Sequence, residues 1–390
     1  MSGRPVPGPR PPGKKLRVGV LGATGVAGHQ ALTALAGHPW FELVMVAGSA
    51  GHHGRRLRER LAEQGEAGMD VLQRLPAAVA DLRLHDAVSV EVEGLDLLFS
   101  MLPSQVARGV ETRCAAAVPV ISTASAYRDE HDTPVLLAGV NPGHFALLGD
   151  QARGRGWQGF VAPGPNCTTV GLAVTLAPLV AAFGVTAVTL TSMQAVSGAG
   201  SRAPEVLAAA HLNVLPWIAD EEEKVERETL KILGAARRGE IEPAAFPVSA
   251  TCTRVPVAHG HTLSVSVGLD RNVSPADVAA VWDAADPFAG RNLPSAPRRW
   301  IELRAERDRP QPKLDRDTGK GFTTVVGRLR RDPVTGGVKY MVVSHNAVLG
   351  AAGGAVLLAE DLLDRGLLGD APRPGAARTS PAEDGGRRLG

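Results

Sequence analysis

A glycine-rich turn near the start of the chain, Gly22-Ala23-Thr24-Gly25-Val26-Ala27-Gly28, constrains the fold more than any other feature. It joins a Val-rich apolar run, LRVGVLGATG (16–25), to a helical pattern, VAGHQALTALAGHP (26–39). A strand, a glycine turn and a helix in this order favour a nucleotide site, because backbone N–H groups at the helix start can hold a pyrophosphate. We predict that Gly22, Thr24, Gly25, Val26 and Gly28 bind the cofactor; a tight turn without a ligand is the alternative.

The end of the second predicted strand, FELVMVAG (41–48), indicates which dinucleotide is bound. A site selective for NAD usually has a carboxylate there for the ribose 2′-hydroxyl. This chain has Ser49 at that place, with Arg55 and Arg56 close behind and no acidic residue between. We therefore expect NADP, with Ser49 and one of the arginines, Arg55 first, on the 2′-phosphate. Simple solvation of both arginines is the alternative.

Alternating strands and helices predict an α/β fold of two domains. The first half has predicted strands at 89–94, 95–102 and 118–122 and a helix near 104–116. The second half has longer strands, which suggest a mixed or antiparallel sheet, at 188–196, 264–270, 321–332 and 339–347. Its helices are predicted at 202–211, 220–236, 275–285 and 350–366.

We assign a doubly wound Rossmann-type cofactor domain to 16–164, completed by a terminal helix at 348–369. A mixed-sheet α/β catalytic domain is assigned to 165–345. The Pro-rich lead-in 1–15 and the low-complexity tail 371–390 are expected to be disordered.

Charge and cysteine usage exclude several classes of protein. The net charge is +2, and the excess lies in the two terminal segments, so the body at 16–370 has no positive field for nucleic acid. Three cysteines without a CxxC or Cys/His spacing predict neither a disulfide framework nor a metal site, and the expected location is the cytoplasm. The uncharged stretch from Gly156 to Ser201 is interrupted by Pro178 and Gly184, which favours a buried helix at 168–182 and a strand at 185–191 over a membrane span.

Cys167 is the strongest candidate nucleophile. It ends the loop Gly164-Pro165-Asn166 and is followed directly by an uncharged helical pattern. A helix N-terminus lowers the pKa of a thiol, so we expect a reactive thiolate here; a buried structural cysteine is the alternative.

A nucleophilic thiolate needs an acid/base partner, and the segment RVPVAHGHT (254–262) offers candidates. Arg254 and His261 lie seven residues apart with a Pro-containing turn between them. Either side chain could face the same pocket, although the spacing alone leaves this open.

Five segments in order resemble the aspartate-semialdehyde dehydrogenase family: PNCTT (165–169), QAVSGAG (194–200), EEEKVERETLKIL (221–233), RVPVAHGHT and HNAVLGAAGG (345–354). The resemblance covers about 16–368 and is closest to the archaeal branch, which also contains malonyl-CoA reductases. It implies that Cys167 attacks an acyl phosphate, Gln194 orients the carbonyl and His261 is the general acid/base.

The resemblance also implies how the ligands are held. Arg254 would bind the substrate carboxylate and Glu222 its ammonium, with Glu221 as the neighbouring possibility. The remaining implied contacts are Lys224, Thr123 and Asn166 for the substrate and its phosphate, and Ser197, Gly198 and Asn346 for the cofactor.

The implied activity is NADP-dependent reduction of L-aspartyl 4-phosphate to L-aspartate 4-semialdehyde through a cysteine thioester, in the pathway to lysine, threonine and methionine. The resemblance implies a homodimer or homotetramer with small-molecule ligands and phosphate. Thr123 departs from the family pattern, where Asn is common in Ser-Asn-Ala-Ser. The alternatives are therefore reduction of malonyl-CoA or of a modified amino-acid acyl phosphate, and a silent NADP-binding paralogue.

Overall fold

The computed structural model describes residues 14–369, so the predicted tail 371–390 and nearly all of the predicted lead-in lie outside the described residues. The first sheet has six parallel strands in the order β3-β2-β1-β4-β5-β6. Their bounds are β1 Leu16–Leu21, β2 Phe41–Gly48, β3 Leu84–Asp86, β4 Leu97–Ser100, β5 Val120–Ser122 and β6 Val161–Pro163. This order is that of a doubly wound dinucleotide-binding fold.

The α-helices described in the first part of the chain are α1 Val26–Leu35, α2 Leu57–Ala62, α3 Gly65–Arg74, α4 Ala77–Ala80, α5 Ser104–Ala115 and α6 Ala146–Arg155. Within the helical pattern at 26–39, α1 ends at Leu35, because Gly37 has φ +66° and Pro39 follows it.

The strand predicted at 89–94 is wrong. Residues 87–94 form turns and loop instead, and β3 lies just before them. The carboxylate of Asp86 accepts hydrogen bonds from the Val88 N–H and the Ser89 hydroxyl, which stabilises a turn in place of a strand. The apolar alternation of this segment therefore does not produce sheet pairing.

The second sheet also has six strands, in the order β10-β7-β11-β14-β13-β12, and is mixed as predicted. Antiparallel pairs join β7, β11, β14 and β13, while β10 and β12 pair in parallel at the two edges. The strands are β7 Val185–Gln194, β10 Val248–Arg254, β11 His261–Leu269, β12 Ile301–Arg304, β13 Thr324–Arg331 and β14 Val338–Ser344, with a separate hairpin of β8 Ala235–Arg237 and β9 Glu240–Glu242.

The helices of the second part are α7 Cys167–Phe183, α8 Ala203–Ala210, α9 Glu221–Ile232, α10 Pro275–Asp283, α11 Pro312–Asp315 and α12 Gly353–Asp364. The helix predicted at 220–236 is shorter because β8 begins at Ala235. A side chain at Gly234 would lie 2.2 Å from the Glu242 carbonyl oxygen, so the hairpin packs tightly against the helix end.

Helix α7 explains the long uncharged segment. Its residues from Thr168 to Leu176 are all buried, and the helix packs against α9, α10 and strands of the second sheet. Within the described residues, no helix is long and apolar enough to cross a membrane. The absence of charge therefore reflects a helix enclosed by protein on nearly every side.

The last helix returns to the first sheet. Helix α12 packs against α1 and β5. The buried Glu360 carboxylate accepts a hydrogen bond from the Ser295 N–H and lies 2.9 Å from the His38 ring nitrogen Nε2. These contacts tie the end of the described chain to its beginning.

Candidate active site

Cys167 is the first residue of α7, and Asn166 is the residue that caps this helix. The Asn166 side-chain oxygen accepts hydrogen bonds from the backbone N–H groups of Thr168 (2.7 Å) and Thr169 (3.4 Å). Because this cap fixes where the helix begins, the cysteine lies in the first turn, near the carboxyl ends of the parallel strands. The backbone of Gly350 covers it from the other side: a Cβ at Gly350 would lie 3.0 Å from the Cys167 Cβ.

The structure brings His261 to the cysteine. The Cys167 Sγ lies 3.2 Å from the His261 Nε2, and the imidazole is fully buried at the start of β11. The other ring nitrogen, Nδ1, accepts a hydrogen bond from the Ala195 N–H at 3.1 Å. Both nitrogens of the ring are therefore engaged, one with the sulfur and one with the backbone.

The expected low pKa of the Cys167 thiol is wrong for this structure. Burial and, after it, the Glu221 carboxylate together raise the pKa of Cys167 to about 12, although Arg128 and Arg254 act in the opposite direction. The helix N-terminus is thus outweighed by desolvation and by one nearby anion. Burial, Arg254 and His345 lower the pKa of His261 to about 3, so the pair is thiol and neutral imidazole at neutral pH.

Glu221, at the first turn of α9, holds three polar side chains of the pocket together. Its carboxylate accepts hydrogen bonds from Asn166 Nδ2 (3.0 Å), Thr168 Oγ1 (3.1 Å) and Gln194 Nε2 (2.9 Å). The neighbouring Glu222 is turned away, since its carboxylate accepts from the Cys252 N–H at 2.8 Å on β10. The structure therefore brings Glu221, and not Glu222, to the cysteine.

Arg254 ends β10, paired in register with Gln194 at the end of β7. Its Nη1 donates to the Ala195 carbonyl oxygen at 2.8 Å. A Cβ at Gly198 would lie 2.8 Å from this Nη1 and 3.0 Å from the His261 Cε1. Only glycine leaves room for the guanidinium and the imidazole to lie side by side.

Two residues that the sequence analysis missed connect the cysteine to the loop after β5. Arg128 Nη2 donates to the Thr123 carbonyl oxygen (2.8 Å), and its Nη1 pairs with the Glu228 carboxylate (3.0 Å). The other oxygen of Glu228 accepts from the Asn166 N–H at 2.6 Å. Glu221 and Glu228 are seven residues apart, and this two-turn spacing could have placed them on one face of α9.

The side chains of Thr123 and Lys224, both predicted to contact the substrate, make long polar contacts in the structure. The Thr123 hydroxyl donates to the Ser100 carbonyl oxygen at 3.3 Å. Lys224 lies one turn after Glu221 on α9, and its Nζ is 3.8 Å from the exposed Asp220 carboxylate. Its ammonium group remains available to a phosphate.

The glycine turn forms a close-packed cradle. Gly22 has φ +75°, and a Cβ there would lie 2.6 Å from the Met101 carbonyl oxygen. A Cβ at Gly28 would lie 2.1 Å from the Gly22 carbonyl oxygen, so helix and turn pack backbone to backbone. Gly25 precedes α1 without a side-chain cap, Val26 is half exposed, and the Thr24 carbonyl oxygen accepts from Gln64. The uncapped helix start fits a dinucleotide pyrophosphate.

The arginines expected on the 2′-phosphate are in surface ion pairs. Arg55 pairs with Glu63, and Arg56 with Asp81 at 2.7 Å. Ser49 is exposed at the end of β2. Binding of a 2′-phosphate by Arg55 therefore requires competition with a carboxylate.

Three further predicted cofactor residues lie beside His261. Asn346 Nδ2 donates to the Ser197 hydroxyl at 2.9 Å, and its side-chain oxygen accepts from the Gly260 N–H at 2.9 Å. Gly198 follows Ser197 in the same loop. Asn346 thus ties this loop to the residue immediately before His261.

A doubly wound nucleotide fold whose edge holds a half-buried cysteine beside a buried histidine and a buried arginine is typical of nucleotide-dependent enzymes that use a cysteine nucleophile. Residues 17–148 match the family model described as semialdehyde dehydrogenase, NAD binding domain, and residues 176–349 match semialdehyde dehydrogenase, dimerisation domain. The chain belongs to the semialdehyde dehydrogenase family.

Several relatives are similar over nearly the whole chain. An aspartate-semialdehyde dehydrogenase of Archaeoglobus fulgidus is 44% identical, over 88% of this chain and 96% of the relative. A malonyl CoA reductase (NADP) of Metallosphaera sedula is 32% identical, over 91% and 99%. The crystal structure of aspartate semialdehyde dehydrogenase with NADP from Candida albicans aligns with a TM-score of 0.79 at 33% identity, over 90% and 99%.

Proposed function

We propose that this chain is an NADP-dependent aspartate-semialdehyde dehydrogenase, which reduces L-aspartyl 4-phosphate to L-aspartate 4-semialdehyde with release of phosphate. The observation that carries the proposal is the 3.2 Å contact between Cys167 Sγ and His261 Nε2, beside a buried arginine and a buried carboxylate. A thiol, an acidic side chain and a guanidinium in one pocket suit an amino-acid acyl donor.

Each charged side chain of the pocket binds a different group of the substrate. Arg254 binds the α-carboxylate, because its guanidinium lies within the pocket at the end of β10. Glu221 binds the ammonium group and exchanges part of its contacts with Asn166 and Gln194 for it. Lys224 and the loop at Thr123 receive the phosphate. Glu222 has no part in substrate binding, since its carboxylate holds the β10 backbone.

The chemistry is covalent. The Cys167 thiol gives its proton to His261, the sulfur attacks the acyl carbon, and the bond to phosphate breaks with its electron pair on the phosphate, which leaves a thioester on the enzyme. The glycine turn and the loop at Ser197 would hold NADPH, which would supply the hydride for reduction of this thioester. The apolar wall of α7 and the cover formed by Gly350 keep water from the thioester.

The similarity to a malonyl CoA reductase and the presence of Thr123 favour a second candidate, reduction of malonyl-CoA. A malonyl group has a carboxylate for Arg254 but no ammonium group for Glu221. A buried carboxylate shared by three donors is better explained by a substrate amine, so we prefer the aspartyl substrate. A modified amino-acid acyl phosphate would also have a carboxylate for Arg254 and an ammonium group for Glu221. A silent paralogue would turn over none of these compounds.

The matched dimerisation domain indicates an oligomer, and we propose a homodimer formed through the open face of the second sheet. Helices α7 and α10 cover one face. The other presents small uncharged side chains that are exposed, among them Thr189, Thr191, Thr251 and Ser264. A second copy would cover them, whereas a tetramer needs a further contact that this face does not offer.

A cytoplasmic location also stays a prediction.

The deciding experiment measures phosphate-dependent reduction of NADP by purified protein with L-aspartate 4-semialdehyde, with NAD and with malonyl-CoA plus NADPH as separate arms. We expect turnover with the semialdehyde that falls by about 10⁴-fold or more in Cys167→Ala. Cys114→Ala is the matched control, because Cys114 is buried in the first domain on α5. Turnover with malonyl-CoA alone would contradict the proposal, and NADPH binding without any turnover would establish the silent paralogue.

A further inference from the structure

Glu111 is a fully buried acidic residue on α5, beneath the loop from Ser122 to Ser125 that follows β5. On the basis of the proposed function, in which this loop receives phosphate, we propose that Glu111 is a positioning residue. As a neutral carboxylic acid it joins Ser122 to Ser100 and holds the loop in the form that binds the phosphate group. It acts through these two serines and touches no ligand itself.

The Ser122 hydroxyl connects Glu111 to the backbone of the loop. It donates to Glu111 Oε1 at 2.6 Å and accepts from the Ala124 N–H at 3.0 Å. Ser122 is the last residue of β5, and its carbonyl oxygen accepts from the Gly164 N–H at 2.8 Å, three residues before Cys167. The carboxyl group therefore fixes the start of the loop at a point that is tied to the segment carrying the cysteine.

The second oxygen of the carboxyl group serves the neighbouring strand. The Ser100 hydroxyl, at the end of β4, faces the Glu111 carboxyl group. Glu111 Oε2 and Ser100 Oγ are both buried, and neither has another hydrogen-bond partner among the described residues. A proton on Oε2 would give both oxygens a partner. The Ser100 carbonyl oxygen accepts from the Thr123 N–H at 3.0 Å, so both serines hold the same loop.

The surroundings keep the Glu111 carboxyl group neutral. The cations that face it are Arg108, on its own helix, and Arg128, from the segment after the loop. Arg108 pairs with Glu130 at 2.8 Å and Arg128 with Glu228 at 3.0 Å, and within residues 14–369 neither forms an ion pair with Glu111. Burial raises the pKa of Glu111 by more than the serine hydroxyls and the two arginines lower it.

A neutral acid suits this place in the fold. Strands β4 and β5 are neighbours, and ligands of a doubly wound sheet bind at the carboxyl ends of its strands. A carboxylate beneath the loop would repel a phosphate group, because charges interact strongly where water is excluded. A carboxylic acid offers one O–H to Ser100 and one acceptor to Ser122. It thus joins two strand ends without adding negative charge to the site.

The first test records the infrared spectrum of the full chain in D₂O at neutral pH, with Glu111→Gln as the reference. We expect the wild type to show the C=O stretch of one protonated carboxylic acid that the Gln variant lacks. Two spectra without this difference would mean that Glu111 is ionised, which would overturn the inference. The measurement uses no substrate, so it remains valid if the proposed function is wrong.

The second test uses inorganic phosphate as the ligand, detected by its protection of Cys167 from iodoacetamide. Glu111→Gln should need a phosphate concentration within about threefold of the wild type, because an amide can also accept from Ser122 and donate to Ser100. Glu111→Met fills a similar volume without either hydrogen bond and should need at least about tenfold more. Cys114→Ala, which removes another buried side chain from the same face of α5, should behave as the wild type.

Two results of the protection experiment would overturn the positioning role. The first is equal protection of the Gln and Met variants, and the second is a Cys114→Ala variant as weakly protected as Glu111→Met. Far-ultraviolet circular dichroism shows whether each variant is folded. If Glu111→Met does not fold, the comparison of Glu111→Gln with the wild type and the infrared spectra still decide the question.

Turnover separates the inference from the proposed function. With phosphate varied against NADP and L-aspartate 4-semialdehyde, Glu111→Met should raise the KM for phosphate by about tenfold and change kcat by less than about threefold. A loss of kcat with an unchanged KM would contradict positioning of the loop. A wild-type enzyme that reduces malonyl-CoA and is not protected by phosphate would contradict the proposed function and the phosphate role of the loop, while the infrared spectra would still decide the charge of Glu111.

Discussion

The two functional regions of this molecule are built in opposite ways. The cradle at 22–28 is made of backbone from one short segment. Two of its glycines leave no room for a side chain, because an added Cβ would lie 2.6 Å from a backbone oxygen at Gly22 and 2.1 Å from one at Gly28. The cysteine pocket is made of side chains from α7, α9, β7, β10 and β11, which are far apart in sequence. A site made of backbone is sensitive to substitution at a small number of neighbouring positions. A pocket made of side chains depends instead on how elements far apart in sequence are placed relative to one another.

The largest effect in this comparison is expected at Gly198, where the side-chain pocket needs a glycine just as the cradle does. In Gly198→Ala the new methyl group would displace the Arg254 guanidinium and the His261 ring. We expect kcat/KM for the semialdehyde to fall by about 100-fold, since small displacements of catalytic groups have this effect. Gly154→Ala, where an added Cβ meets nothing within 4 Å, is the control. Equal activities of the two variants would contradict the packing argument.

Glu221 and Glu222 test the specificity of the side-chain pocket. We expect Glu221→Gln to lower kcat/KM by about 10–100-fold, the usual loss for a hydrogen bond to a charged group. Removing this carboxylate also removes a cause that raises the pKa of Cys167, so alkylation of the thiol at neutral pH should become faster while turnover falls. Glu222→Gln should change both rates by less than about threefold. A reversed order would place the ammonium group at Glu222 instead.

Gly22 and Gly25 separate folding from binding within the cradle. Gly22→Ala introduces a side chain at φ +75° and should destabilise the fold by about 1–3 kcal/mol, measured by denaturant unfolding. Gly25 has φ −88° and an added Cβ there makes only an ordinary contact of 3.5 Å. Gly25→Ala should therefore keep its stability and raise the KM for NADPH. A normal KM in Gly25→Ala would indicate that this glycine does not approach the pyrophosphate.

Arg55 should give the smallest effect. Because Arg55 is paired with Glu63 on the surface, Arg55→Ala should raise the KM for NADPH by only about tenfold or less and leave the KM for NADH unchanged. Glu63→Gln is the matched change, which frees the guanidinium and should lower the KM for NADPH. If neither variant alters the ratio of the two KM values, Arg55 is a solvated residue and Ser49 acts without it.

The comparison also explains what could be predicted from the sequence. The parallel and mixed sheets follow from hydrophobic patterns, and the cradle follows from a contiguous motif. The choice between Glu221 and Glu222 depends on the start of α9, which Asp220 sets with a φ of +56°. Adjacent residues on a helix point about 100° apart, so one residue of difference turns a carboxylate from the cysteine to β10. No local pattern gives this rotation.

The pKa of Cys167 shows a second limit. The sequence places the thiol at a helix N-terminus, which lowers its pKa. Burial and Glu221, which comes from another helix, raise it by more. The local sequence thus gives the direction of one contribution to the pKa of Cys167. The net shift of this pKa depends on neighbours that only the tertiary structure brings close. Arg128 and Glu228 were missed for the same reason, because their role comes from each other and from the backbone at Asn166.

The cover that Gly350 places over Cys167 has a consequence for synthesis of the chain. Cys167, Asn166 and Glu221 are translated well before Gly350, which covers the thiol. Helix α12, which packs on α1, is among the last described elements to be translated. Domains generally fold in order from the N-terminus on the ribosome. The nascent chain therefore carries an uncovered cysteine until Gly350 has been added and an apolar face on α1 until α12 is complete at Asp364. The order of the elements along the chain therefore makes the cover of Cys167 one of the last parts of the pocket to form.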